Sequence, residues 1–207
     1  MTESLFSPPI LIRASMMEKV AQITLEEFMQ VYRDQGPFEL IEGERIPMTP
    51  QITRSARIAT RLLRAMADYI GAHHLGEVFM ETPFVLTEPD SNRGTGSRVP
   101  DLMFVQTGRL AQLAASDPEW DLKPLVLVPD LVVGIVSPTD QLSEVGKKIS
   151  RYLADGVQTV WLIDPEAQTV TIYAADSKQL THLSREDTLD GGEIIPGFNI
   201  DVKTLFG

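Results

Sequence analysis

Residues 129–165, "PDLVVGIVSPTDQLSEVGKKISRYLADGVQTVWLIDP", restrict the fold more than any other stretch of the chain. The apolar run Leu131, Val132, Val133, Ile135 and Val136 has the pattern of a strand buried on both faces. Ser143 to Ala154 then places Ile149, Tyr152 and Leu153 on one helical face, and Gly156 supplies the stop. "TVWLIDP" is a second buried strand. Two strands joined through one helix predict a βαβ crossover, and therefore parallel pairing between them. One residue breaks the pattern. Gly134 sits inside the first strand, where glycine costs order and packs nothing.

The flanking sequence predicts antiparallel additions to this core. Thr24-Leu25-Glu26-Glu27 is a capping box that starts a short helix to about Tyr32, ended by Gly36-Pro37. "FELIEGERIPM" reads as a β-hairpin turning at Glu42-Gly43. Thr53 to about His73 carries Ile58, Leu62, Met66, Tyr69 and Ile70 at helical spacing and is the longest predicted helix. Glu77 to Thr87 reads as one strand, followed by the polar loop "EPDSNRGTGSR". Val99 to Val105 is a further strand, Gly108 to Ala115 a short helix, and 118–129 mostly loop. "TVTIYAA" pairs back on "TVWLIDP" around Glu166-Ala167, and the tail "GGEIIPGFNIDVKTLF" adds a short strand and a helical turn. The expected class is α/β, with a mixed sheet flanked by helices.

At 207 residues the chain is long enough for one cored domain, expected over residues 23–207. Residues 1–22 have mixed polarity and a Pro-Pro pair, and are expected to form a flexible leader rather than a secretory signal. No apolar run approaches the length of a bilayer span, so a cytoplasmic protein without membrane association is expected. The absence of cysteine excludes disulfides, thiolate zinc sites and a cysteine nucleophile.

Eighteen Lys and Arg against 29 Asp and Glu give a formal charge of −11. Such a surface repels polyanions as a whole, so nucleic-acid binding would need a local basic cluster. Arg54, Arg57, Arg61 and Arg64 form one, with spacings that put all four on one helical face. The stripe can follow a phosphate backbone, or it can be the solvated side of an amphipathic helix.

Few residues carry chemistry. Asp101, in Pro100-Asp101-Leu102, stands at a strand entrance, where it is either a ligand for a hard cation or a solvated carboxylate. Lys148 borders the apolar face of the helix 143–154, with Glu144 four residues earlier as a candidate ion-pair partner. His73, His74 and His182 lack metal-ligand spacing. Neither a nucleophile elbow, a P-loop nor a dinucleotide fingerprint is present.

Five segments taken together, "FELIEGERIPM", "VPDLMFV", "PDLVVGIVSPTD", "GKKISRYLADGVQTVWLIDP" and "IPGFNIDVKTLF", resemble in order and spacing the Uma-type "putative restriction endonucleases" of the PD-(D/E)XK nuclease superfamily. The resemblance runs from about Thr24 to Phe206. It implies a restriction-endonuclease-like sheet, DNA as substrate or ligand, and Mg²⁺ or Mn²⁺ as cofactor. It also implies a homodimer as an option. Asp101 matches the metal-binding aspartate, Lys148 the lysine this family carries on the following helix, and Glu39 an acidic residue grouped with the site. A carboxylate-held Mg²⁺ would activate water, the lysine would offset charge on phosphorus, and the arginine stripe would position the backbone.

Two positions depart from the family pattern. Gly134 stands where the second metal-binding glutamate is expected, and Ser55 is the nearest residue to a frequent histidine. The departure at Gly134 implies impaired metal binding and hydrolysis, unless Glu39, Glu81, Asp140 or a backbone carbonyl near Ile135 compensates. The alternative is an inactive nuclease fold that binds nucleic acid or a protein partner.

Overall fold

In the computed structural model of the chain, residues 23–88, 91–177 and 179–207 are described, so the expected leader lies outside the described residues. The elements in chain order are β1 (Ile23–Thr24), α1 (Leu25–Gln35), β2 (Phe38–Ile41), β3 (Glu44–Pro47), α2 (Thr53–His73), β4 (Gly76–Met80), β5 (Phe84–Thr87), β6 (Arg93–Arg98), β7 (Leu102–Gln106) and α3 (Thr107–Ser116). A 3₁₀ turn at Trp120–Leu122 precedes β8 (Leu131–Ile135), α4 (Leu142–Ala154), β9 (Thr159–Asp164) and β10 (Thr169–Ala174). The chain closes with β11 (Thr181–Leu183), β12 (Thr188–Asp190), β13 (Asn199–Asp201) and α5 (Val202–Phe206).

The predicted crossover is the centre of the larger sheet. Its six strands run β11-β10-β9-β8-β7-β4, and only β8 and β9 are parallel. Alternation sorts the side chains of these strands. Leu102, Phe104, Leu131, Val133, Trp161 and Ile163 face α2 and the C-terminal segment, where Leu62, Met66 and Phe198 complete one core. Met103, Val105, Val132 and Val160 face the other way, against Ile149 and Tyr152 of α4 and Leu110 of α3. The class is mixed α/β, as expected.

A second sheet of five strands contains β1, β6, β2 and β3 in that order, with β5 paired to β6. It packs Phe38, Leu40 and Val85 against Phe28 of α1. The capping box forms as predicted, with the Glu27 amide donating to Thr24 Oγ1 at 3.2 Å and the Thr24 amide to Glu27 Oε2 at 2.8 Å. The β2–β3 hairpin turns through Glu42 and Gly43 at φ of 51° and 79°, the left-handed pair that a two-residue hairpin requires.

Two predicted boundaries are corrected. The single strand over Glu77–Thr87 is two strands in different sheets, β4 and β5, broken at Glu81 (φ 47°) and Pro83. Proline removes a ladder donor, and the left-handed residue redirects the chain. The predicted polar loop contains β6, whose "RGTGSR" has no hydrophobic alternation. Its pairing rests on backbone contacts to β1, β2 and β5, and at Gly96 a Cβ would stand 3.2 Å from the Leu40 carbonyl oxygen. Close approach, not side-chain burial, explains the glycine. Among the described residues no helix is long and apolar enough to cross a membrane.

Candidate active site

The segment 99–101 links the two sheets, and the candidate site is built around it. On the smaller sheet, the buried Glu39 of β2 accepts the Val99 amide on Oε1 at 3.0 Å. On the larger sheet, the Asp101 amide donates to the Val133 carbonyl at 3.1 Å. The Asp101 carboxylate then turns to the end of β8, where Oδ2 accepts the Ile135 amide at 2.7 Å and Oδ1 accepts Gln51 Nε2 at 2.6 Å.

Helix α4 brings the cation. Lys148 Nζ lies 3.5 Å from Glu39 Oε1 and 5.9 Å from the centroid of the Tyr152 ring, one turn further along. The sequence-based pairing of Lys148 with Glu144 is corrected: Glu144 Oε1 holds Lys147 at 2.7 Å instead. Both spacings suit a helix, but Lys148 is drawn across to the buried carboxylate of β2. Glu39, Asp101 and Lys148 thus lie on the wall of one hollow of about 590 Å³ that Gln51, Ser55, Glu81 and Asp140 also line.

Burial pushes the Asp101 carboxyl up, against the opposing pull of the Ile135 amide, the Gln51 amide and Lys148. Burial works against the Lys148 ammonium, whereas the Glu39 and Asp101 carboxylates beside it favour the charged form. Lys148 is therefore a fixed cation at neutral pH, suited to balancing phosphate charge rather than abstracting a proton.

Gly134 faces α4. Its parallel partner is Leu162, and a Cβ built on it would meet only Leu162 Cδ1, at 3.8 Å. Beside it lies a hollow of about 50 Å³ lined by Asp101, Gly134, Lys148, Tyr152 and Leu162 among others. Tyr152 is 2% exposed, and its hydroxyl has no hydrogen-bond partner among the described residues. Lys148 is near enough to influence it.

The residues present do not fit a complete Mg²⁺ site. Among the described residues, no three His, Cys, Asp or Glu side chains converge as a metal-binding group. Both Asp101 oxygens already accept hydrogen bonds. Of the candidate substitutes, Glu39 is engaged with Val99 and Lys148, and Asp140 Oδ2 accepts the Ser137 amide at 2.8 Å. Glu81 lines the larger hollow.

The arginine stripe starts at the rim of the site and runs away from it. Arg54 borders a hollow shared with Ser137 and Asp140. Arg54, Arg57 and Arg61 line a neighbouring groove of about 350 Å³ together with Glu166 and Phe206. Arg61 is partly committed, since its Nη1 donates to the Leu205 carbonyl at 2.9 Å. Arg64 is exposed further along α2. Gln51 and the Tyr152 hydroxyl escaped the sequence reading. Gln51 carries no local signal, whereas Tyr152 stands four residues after Lys148, a spacing that places both on one face.

The fold and this wall of carboxylates with one lysine define the class first. A crystal structure of "a putative nuclease belonging to DUF820" from Anabaena variabilis ATCC 29413 superimposes with a TM-score of 0.71 at 23% identity, over 89% of this chain and 97% of that one, so the two share a fold. The model of the Uma2 family, described as "Putative restriction endonuclease", matches residues 25–203, and the chain belongs to that family. Comparison with curated proteins gave no match.

Proposed function

We propose that the chain binds DNA through a phosphodiester-hydrolysing site that Gly134 leaves without its second metal-binding carboxylate, so that Mg²⁺-dependent cleavage is severely impaired. One observation carries the reading: the open space beside Gly134 borders Asp101 and Lys148, the two residues that would share the metal and the phosphate with a carboxylate at that position. Lys148 balances phosphate charge, and Glu39 holds Lys148 and the Val99 amide in place.

The test is nicking of supercoiled DNA in Mg²⁺ or Mn²⁺ by wild type, Gly134→Glu and Gly134→Glu/Asp101→Ala. The single variant is expected to exceed wild type at least about a hundredfold, the scale on which one charge-stabilising group acts, and the double variant to lose the gain. Wild type cutting as fast as Gly134→Glu would overturn the reading.

DNA binding without turnover is expected to depend on α2. Arg54→Ala and Arg57→Ala should each lower the slope of log affinity against log salt by about one. Arg61→Ala should also lower stability, because it frees the Leu205 carbonyl. A salt slope unchanged in Arg54→Ala/Arg57→Ala would remove the stripe from the interface.

A further inference from the structure

Between the candidate site and the arginine groove lies a third hollow, of about 180 Å³. It shares Ile52, Ser137 and Asp140 with the former and Arg54, Pro165 and Glu166 with the latter, so the three run side by side. Apolar side chains line this stretch without being buried. Of the five exposed large hydrophobic residues among the described ones, Ile46, Ile52 and Leu142 border these hollows, the last two on the third. Leu142 is 87% exposed. It opens α4 in register with Val145, Ile149 and Tyr152, so the apolar face of the helix runs one turn past the core it covers.

Charge says what fits between Ile52 and Leu142. Asp140, Asp164 and Glu166 line the third hollow and repel a phosphate, whereas Arg54 borders both this hollow and the groove and can hold one. The occupant of the hollow is therefore an uncharged part of the strand. Two of the carboxylates are half used: Asp164 Oδ1 accepts the Glu166 and Ala167 amides at 2.8 and 2.9 Å, and Asp140 Oδ2 accepts the Ser137 amide at 2.8 Å. The second oxygen of each can accept from a base amino group, as carboxylates do from cytosine. Leucine and isoleucine side chains lie well against unstacked bases, whose faces a single strand exposes and a duplex hides. We infer that the hollow between Ile52 and Leu142 takes one unstacked, amino-bearing base of single-stranded DNA, whose phosphates lie on Arg54 and Arg57. The inference rests on the proposed function for DNA as the ligand, and it names the form of DNA.

Phosphate density alone favours the duplex, so a preference for the single strand has to come from contacts with bases. The experiment is fluorescence anisotropy of labelled oligonucleotides of about sixteen nucleotides, titrated with the full chain at constant salt and without divalent cation. A mixed-sequence single strand is expected to bind wild type at least about tenfold tighter than its duplex, and oligo-dC severalfold tighter than oligo-dT. Leu142→Ala removes little buried surface; it should melt as wild type does and lose severalfold in single-strand affinity. Leu142→Ala/Ile52→Ala should erase most of the preference and leave duplex affinity unchanged. Leu122→Ala, at a leucine 72% exposed but outside the three hollows, should change neither. Duplex binding as tight as single-strand binding, equal affinity for oligo-dC and oligo-dT, or a preference untouched in Leu142→Ala/Ile52→Ala overturns the inference. If the preference is missing while Arg54→Ala/Arg57→Ala still weakens binding, only the inference falls. If neither form of DNA binds, the proposed function falls with it.

Discussion

Gly134→Glu is expected to fold and to gain a stability that rises with divalent cation. The strand accepts the side chain, because position 134 has no positive φ and its Cβ would meet only Leu162 Cδ1, at 3.8 Å. Without cation, the added carboxylate shares a half-buried wall with Asp101, and the two repel. Lys148 offsets part of that repulsion. Mg²⁺ at a hundred times its dissociation constant adds about 2.7 kcal/mol to the folded state. In a domain of this size each kcal/mol moves the melting temperature by about 2–4 °C. A rise of roughly 5–11 °C on adding Mg²⁺ is therefore expected for Gly134→Glu. Wild type should respond much less, and Gly134→Glu/Asp101→Ala should lose the response. Differential scanning calorimetry with and without Mg²⁺ checks all three.

Asp130→Ala is expected to cost about 3 kcal/mol, the lower end of what breaking a buried charge pair costs, and to lower the melting temperature by about 6–12 °C. Asp130 has no exposed surface. Its Oδ1 accepts Arg109 Nη1 at 2.9 Å and Gln158 Nε2 at 2.7 Å, and its Oδ2 accepts the Gln106 amide at 2.9 Å. Alanine removes every acceptor at once. Arg109 can rehydrate, since its side chain is 34% exposed, which keeps the loss at the lower end. Asp130→Asn keeps one acceptor and should cost about half as much. Thermal unfolding of the two variants distinguishes a structural aspartate from a functional one: DNA affinity at low temperature should not change. Asp101 and Asp130 both follow proline at a strand entrance, and only their surroundings differ: Asp130 is fully enclosed by Arg109, Gln158 and the Gln106 amide, whereas Asp101 lines the hollow.

Periodicity made the centre of the fold legible. The β8–α4–β9 crossover, the β2–β3 hairpin and α2 all announce themselves through apolar spacing or turn residues. Strand β6 does not, because "RGTGSR" has no apolar side chains to form a pattern, and Gly96 is set by close approach to the Leu40 carbonyl. The break after Met80 was hidden for a different reason. Both halves are short apolar runs, Val78-Phe79-Met80 and Phe84-Val85-Leu86, and the change of sheet depends on the left-handed Glu81 together with Pro83.

The site divides in the same way. Asp101 and Lys148 became candidates through the ordered resemblance and not through their own spacing, and the same resemblance marked Gly134 as the position where a glutamate was expected. The Lys148–Glu39 contact was not legible, since helical spacing offered Glu144 as an equally good partner and only the approach of β2 to α4 decides between them. The orphaned Tyr152 hydroxyl is likewise a property of packing: a tyrosine on an apolar face looks like core until its oxygen is found without a partner.

The most direct test of the account is equilibrium binding of Mn²⁺ to wild type and Gly134→Glu in buffer free of carboxylates. Groups that merely orient a metal's ligands are worth about 10–100-fold in affinity, so a ligand itself should be worth at least about a hundredfold. The account predicts saturable binding to Gly134→Glu that depends on Asp101, and binding to wild type at least that much weaker. Tight, Asp101-dependent binding to wild type, equal to that of the variant, would contradict it, because other groups would then complete the site that Gly134 leaves open.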